Sequence, residues 1–140
     1  MEFRKFGNKY IVRLNKGEEI IETLKKLCQD ENITLGSIQG IGAVSNVKVG
    51  LFKPSLKEYH SIELKGDYEM TCLLGNVSTM NGEVYLHLHI DVADEENKIY
   101  GGHLNSAVIS ATGEIIIDTI DGKVDREFSD EIGLNLYKFN

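Results

Sequence analysis

Two consecutive runs decide the fold class: Tyr68-Glu-Met-Thr-Cys-Leu-Leu-Gly-Asn-Val-Ser-Thr79, and Glu83-Val-Tyr-Leu-His-Leu-His-Ile-Asp-Val92. The second alternates without a break. Val84, Leu86, Leu88, Ile90 and Val92 fall on one side; Tyr85, His87, His89 and Asp91 fall on the other. A period of two is the signature of a strand with one buried face. Asn81-Gly82 lies between the runs, and Asn-Gly is the pair that a two-residue hairpin turn favours. The reading is an antiparallel hairpin.

Working outward, the same pattern predicts strands at Lys9–Asn15, Ile33–Ile41, Val44–Phe52, Glu58–Lys65, His103–Ala111, Glu114–Ile120 and Leu134–Phe139. Asp121-Gly122 marks a second turn. One segment has helical spacing: Ile20, Ile21, Leu24, Leu27 and Cys28 form a single apolar stripe. Asn15 followed by Glu18 has the spacing of a capping box at its start. One proline, Pro54, and no low-complexity linker interrupt the chain. The expectation is an α+β fold over residues 1–140: a strongly curved, mostly antiparallel β-sheet packed against one main α-helix, in a single domain.

The 140 residues carry 15 Lys/Arg and 22 Asp/Glu, a net charge of −7. The excess is uneven: residues 1–70 sum to +1 and residues 71–140 to −8. Arginine occurs three times, as Arg4, Arg13 and Arg126. Nucleic-acid binding draws on basic side chains that neutralise phosphates, so this balance argues against direct DNA binding. No run is long and apolar enough for a membrane span. The N-terminal MEFRKFGNKY has no apolar signal-peptide core. Cys28 and Cys72 are therefore expected as reduced thiols of a cytoplasmic protein.

Chemistry concentrates in the acidic half. His87 and His89 are next-but-one neighbours on one strand face, close enough to share a metal ion. His103 follows Gly101-Gly102, whose freedom permits a turn or a close backbone approach that returns it to the pair. Three neutral imidazoles with an open fourth position are a recognised zinc arrangement. Solvated histidines on a polar strand face fit the same pattern. Glu69 joins the candidate site as a cofactor-binding residue, because its strand neighbours the histidine strand. Asp91 and Tyr85 share the histidines' face, and His60 reads as an edge residue. Gly40-Ile-Gly42 lacks the third glycine and the helix of a dinucleotide loop. A cupin-like barrel would need a glutamate in register after the histidine pair; Glu95 instead lies in the turn Asp94–Asn97.

In order along the chain stand the early helix, Ile38-Gln-Gly-Ile-Gly-Ala43, Gly66-Asp-Tyr-Glu-Met70, Leu73-Leu-Gly-Asn76, His87-Leu-His89, Gly101-Gly-His-Leu104, Gly113-Glu-Ile115, Arg126 and Gly133-Leu134. Together, over roughly residues 9–139, they resemble the PPC (plants and prokaryotes conserved) domain family. The resemblance implies an α+β fold, a homotrimer, and a metal site at His87, His89 and His103 for zinc or another divalent transition metal. Apolar strand segments such as Ile115–Ile117 suit burial between subunits. Plant members join this domain to an AT-hook and recognise partners through Gly-Arg-Phe-Glu-Ile-Leu. Here the matching segment is Gly66-Asp-Tyr-Glu-Met-Thr71, with Asp67 in place of arginine, and there is no AT-hook. The resemblance thus implies a trimeric binding or regulatory module for a small-molecule or protein ligand. Two alternatives stand beside it: a zinc-dependent enzyme acting on a small molecule, and a DNA-associated regulator.

Overall fold

The computed structural model describes residues 1–139. In chain order the elements are β1 (Glu2–Phe6), β2 (Lys9–Asn15), α1 (Ile20–Asp30), β3 (Gly36–Lys53), β4 (Glu58–Leu64), β5 (Tyr68–Met80), β6 (Glu83–Ala93), β7 (Ile99–Thr119), β8 (Asp125–Ser129) and β9 (Leu134–Lys138). The strands form one sheet in which every pairing is antiparallel except a single parallel contact, Thr79 with Asp125. The expected mostly antiparallel sheet with one helix is therefore what the chain builds.

The hairpin of β5 and β6 is present in the expected register. Met80 pairs with Glu83, and Asn81 and Gly82 both take positive φ (53° and 83°), as a type I′ turn requires. Leu88, Ile90 and Val92 are buried, while His89 and Asp91 face outward.

Two pairs of predicted strands turn out to be single long ones. Ile33–Ile41 and Val44–Phe52 belong to β3, and His103–Ala111 and Glu114–Ile120 belong to β7. The breaks in their patterns are register shifts at Gly42/Val44 and Ser45/Lys48, where β3 pairs with β7. A bulge rotates the alternation without ending the strand, so it reads as a boundary in sequence. The bulges also let each long strand serve different partners along its length. β7 pairs with β6 over Ile99–His103 and with β2 over Thr112–Asp118. β1 and β8 had too little apolar character to be read as strands.

The helix begins one turn later than its capping-box spacing suggested. Glu18 does accept a hydrogen bond from the Asn15 amide (2.8 Å), but the N-cap is Glu19, which accepts from the Glu22 amide (2.7 Å). The reason is tertiary. Gly17 donates to Ile109 (2.8 Å), Ile109 donates to Glu18 (2.9 Å), and the Ala107 amide donates to the Glu19 carboxylate (3.0 Å). These bonds tie residues 17–19 to β7 and hold Glu19 extended, so the helix starts only at Ile20.

Ile20, Leu24, Leu27 and Cys28 press the helix onto the inner sheet face, against one contiguous core that includes Leu14, Leu73, Leu88, Ile90 and Ile109. Both cysteines are free. Burial pushes the Cys28 thiol up to about 12, which leaves it an inert core group. Ile115 and Ile117 are also core residues, at 1% and 0% exposure, and not the exposed apolar strand expected of them. Exposed apolar residues lie elsewhere, among them Phe3, Phe6, Ile11, Ile41 and Leu74, which line an open groove. No helix among the described residues is long and apolar enough to cross a membrane.

Candidate metal centre

The outer sheet face brings His87, His89 and His103 together. His87 and His89 project from β6, and His89 pairs directly with His103 of β7. Ring centroids are 5.2 Å apart for His87–His89, 5.1 Å for His87–His103 and 5.7 Å for His89–His103. One ring nitrogen from each lies within 4.8 Å of the others. Nitrogens bound at 2.0–2.1 Å to a tetrahedral zinc are roughly 3.4 Å apart, so small side-chain rotations complete the site. The donor set, three imidazoles and no thiolate, suits zinc and its neighbours among divalent transition metals.

The glycine pair acts through close approach and not through a turn. Residues 101 and 102 are both in β7. A Cβ on Gly101 would strike the Ile90 carbonyl (2.7 Å) and the Asp91 carboxylate; one on Gly102 would lie 2.7 Å from the Gly50 carbonyl. Without side chains there, β7 threads between β6 and β3 and presents His103 at the level of His89.

Electrostatics favour the neutral form of His87 and His103. Burial lowers the His87 pKa to about 4, helped by the nearby His103, Arg126 and His89 charges. Burial also lowers that of His103, with His89 adding to the effect. Neutral imidazole is the form that binds metal.

Glu69 is not brought to this cluster. It is exposed, pairs with Ala93, and lies five residues along β5 from Leu74, the partner of His89. At about 3.3 Å per residue that is roughly 16 Å of strand. Asp91 is exposed and packs beside Gly101. His60 sits on edge strand β4, 3.2 Å from Glu58.

Sequence reasoning missed the walls of the site. On one side the Tyr59 ring covers Gly50, meets His103 edge-on at 6.1 Å, and donates its hydroxyl to Asn105 (2.6 Å). On the other, Arg126 of β8 lies over β5 and β6. Its Nε donates to Ser78 (2.8 Å), and its two terminal nitrogens donate to the Asn135 carbonyl and the Asn76 side chain (3.0 Å each). The guanidinium stacks between Tyr85 (4.8 Å) and Tyr137 (4.2 Å). The available signal was slight: a lone arginine in a strongly acidic half.

The antiparallel sheet, its single helix and the histidine face define a class of protein. The Plants and Prokaryotes Conserved (PCC) domain model matches residues 1–121, and the chain belongs to that family. Solved structures agree. A Bacteroides thetaiotaomicron chain named "putative DNA binding protein" is 38% identical, with 99% of this chain and 96% of that one covered, at a TM-score of 0.96. A plant- and prokaryote-conserved (PPC) protein of Pyrococcus horikoshii is 34% identical over 99% and 96%, at 0.87. A metal-containing protein of Archaeoglobus fulgidus is 28% identical over 99% and 97%, at 0.88. No curated protein matches significantly.

Proposed function

We propose that this PCC-domain protein is a trimeric binding or regulatory module whose His87, His89 and His103 hold zinc or another divalent transition metal. The carrying observation is the convergence of three imidazole nitrogens within 4.8 Å on one face. Support comes from the depressed basicity of His87 and His103, and from the Archaeoglobus relative named as metal-containing. Three protein ligands leave the metal an open position, where a small ligand binds. The reading is of binding: among the described residues no carboxylate is hydrogen-bonded to the three imidazoles.

The subunits associate through the groove lined by Phe3, Phe6, Ile11, Ile41 and Leu74. Ile41 and Leu74 are 56% and 54% exposed, and a second copy would remove that apolar surface from water. DNA association, suggested by the Bacteroides relative's name, draws no support from a chain of net charge −7.

Metal analysis of protein purified without a histidine tag tests the proposal. The expected result is one metal per chain, abolished in the His87→Ala/His89→Ala double variant. Wild-type protein that neither carries nor takes up a divalent metal would overturn it. Light scattering tests the assembly, and a monomer at micromolar concentration would refute the trimer.

A further inference from the structure

The geometry points to a small carboxylate as the ligand of this centre, held between the bound metal and the guanidinium of Arg126. The inference rests on the metal reading above and goes further by naming the ligand's chemistry.

Arg126 is only 8% exposed, yet among the described residues no carboxylate forms an ion pair with it. Buried arginines ordinarily have a counter-anion, because an unbalanced charge is costly away from water. Neutral partners offset part of that cost: Ser78, Asn76, the Asn135 carbonyl and two tyrosine faces. Those partners use three of the five N–H groups of a guanidinium. One N–H on each terminal nitrogen remains without a protein acceptor. The two terminal nitrogens are the fork through which a guanidinium engages a carboxylate.

The fork stands beside the metal ligands. Asn76, which accepts from Arg126, is the cross-strand partner of His87. Tyr85, on which the guanidinium stacks, is the preceding residue on the outer face of β6. Three neutral imidazoles would leave the charge of a divalent metal intact, and Arg126 adds another positive charge one residue away. β6 carries two acids: Asp91 packs beside Gly101 at the opposite end from Arg126, and Glu83, at the hairpin end, accepts from Gln29 of α1 (3.5 Å). An anion between the two cations satisfies both at once. A neutral ligand of the same size satisfies neither.

The test uses full-length protein loaded with Co²⁺, whose visible spectrum reports changes at the metal. Acetate is titrated as probe, with acetamide as its uncharged counterpart and inorganic phosphate as the competing oxyanion. Acetate should perturb the cobalt spectrum at concentrations where acetamide and phosphate do not. Arg126→Lys should weaken acetate binding by about tenfold or more while leaving Co²⁺ affinity unchanged. Should that variant fail to fold, side-chain ¹⁵N signals of the wild type give the same answer. Acetate should shift the Arg126 signal only in metal-loaded protein, with exposed Arg4 and Arg13 as internal controls. Failure to bind Co²⁺ would overturn the metal reading and this inference together. Co²⁺ binding with equal responses to acetate and acetamide, tighter binding of phosphate, or an unmoved Arg126 signal, would overturn this inference alone.

Discussion

Gly75→Ala should weaken metal binding although residue 75 carries no ligand atom. Gly75 pairs with Leu88 in the middle of the β5–β6 ladder, beside both histidines of β6. A Cβ there would lie 2.8 Å from the Leu88 Cα and closer still to the His87 carbonyl, where ordinary contact begins at 3.4 Å. The overlap is therefore at least about 0.6 Å, and both obstacles are backbone of β6. The strands can accommodate it only by parting at His87. Such crowding costs about 1–3 kcal/mol, and the lower entropy of an unfolded chain carrying alanine returns about 0.4–1 kcal/mol. A net loss of about 1–2 kcal/mol is expected for the metal-free protein.

The effect on the site separates this from generic damage. His87 and His89 would move with β6 while His103 stays on β7, and ligand distances tolerate only about 0.2 Å. Zinc affinity should fall by roughly 10–100-fold, the range seen when supporting groups around a metal site are disturbed. Gly82→Ala is the control. Its Cβ would meet nothing within 4 Å, but its φ of +83° strains alanine, so stability falls by about 1 kcal/mol at the far end of the same hairpin. Urea unfolding without metal and chelator competition with zinc give the two numbers for each variant. Wild-type zinc affinity in Gly75→Ala, or equal losses in both variants, would refute the claim that close β5–β6 packing positions the ligands.

Three further outcomes follow from the same geometry. His103→Ala should leave metal-free stability within about 0.5–1 kcal/mol of wild type but abolish the rise in Tm on adding zinc, measured by calorimetry. Metal-free protein should lose stability as pH falls from about 6.5 toward 4, the interval between the ordinary histidine pKa and that of His87. There the unfolded chain takes up a proton that the folded chain refuses, so stability rises with pH; screening at a half-exposed ring limits the change to about 1 kcal/mol, and urea midpoints that are flat in wild type would contradict it. Ile41→Asp, at a 56% exposed groove position, should give a folded monomer by light scattering, and an unchanged assembly would exclude the groove as the interface.

Much of the sheet was legible because burial on one face imposes strict alternation. Residues 83–92 and the Asn81-Gly82 turn could be read directly, as could the helical stripe from Ile20 to Cys28. What sequence obscured was continuity. At the bulges of β3 and β7 the inward phase changes, and a pattern reader sees two strands where the chain makes one. The helix start was misplaced for a related reason: hydrogen bonds from β7, far away in sequence, outcompeted a local cap. In the candidate site the His-x-His pair was visible as local spacing, and His103 was suggested by the glycines before it. Glu69 was drawn in by its strand, since adjacency of strands says nothing about position along them. Arg126, Tyr59 and Asn76 reach the site only through long-range packing, which no local pattern encodes.

The division between legible and hidden parts has a functional counterpart. The three histidines lie inside the stretch that matches the family model, residues 1–121, whereas Arg126 and the β8–β9 hairpin follow it. That hairpin joins the main sheet through one parallel pairing, Thr79 with Asp125, a Thr79–Asp125 side-chain bond, the contacts of Arg126, and bonds from Asn135 to the Tyr85 hydroxyl (3.3 Å) and from Lys57 to the Asp130 carbonyl (2.5 Å). The candidate metal ligands, by contrast, sit on β6 and β7, strands paired along both of their working edges. On the proposed reading, the metal would be held by the main sheet and its ligand chosen by the hairpin. Movement of the hairpin would withdraw the guanidinium without disturbing the imidazoles, so on the proposed reading an anion could leave while the metal stayed.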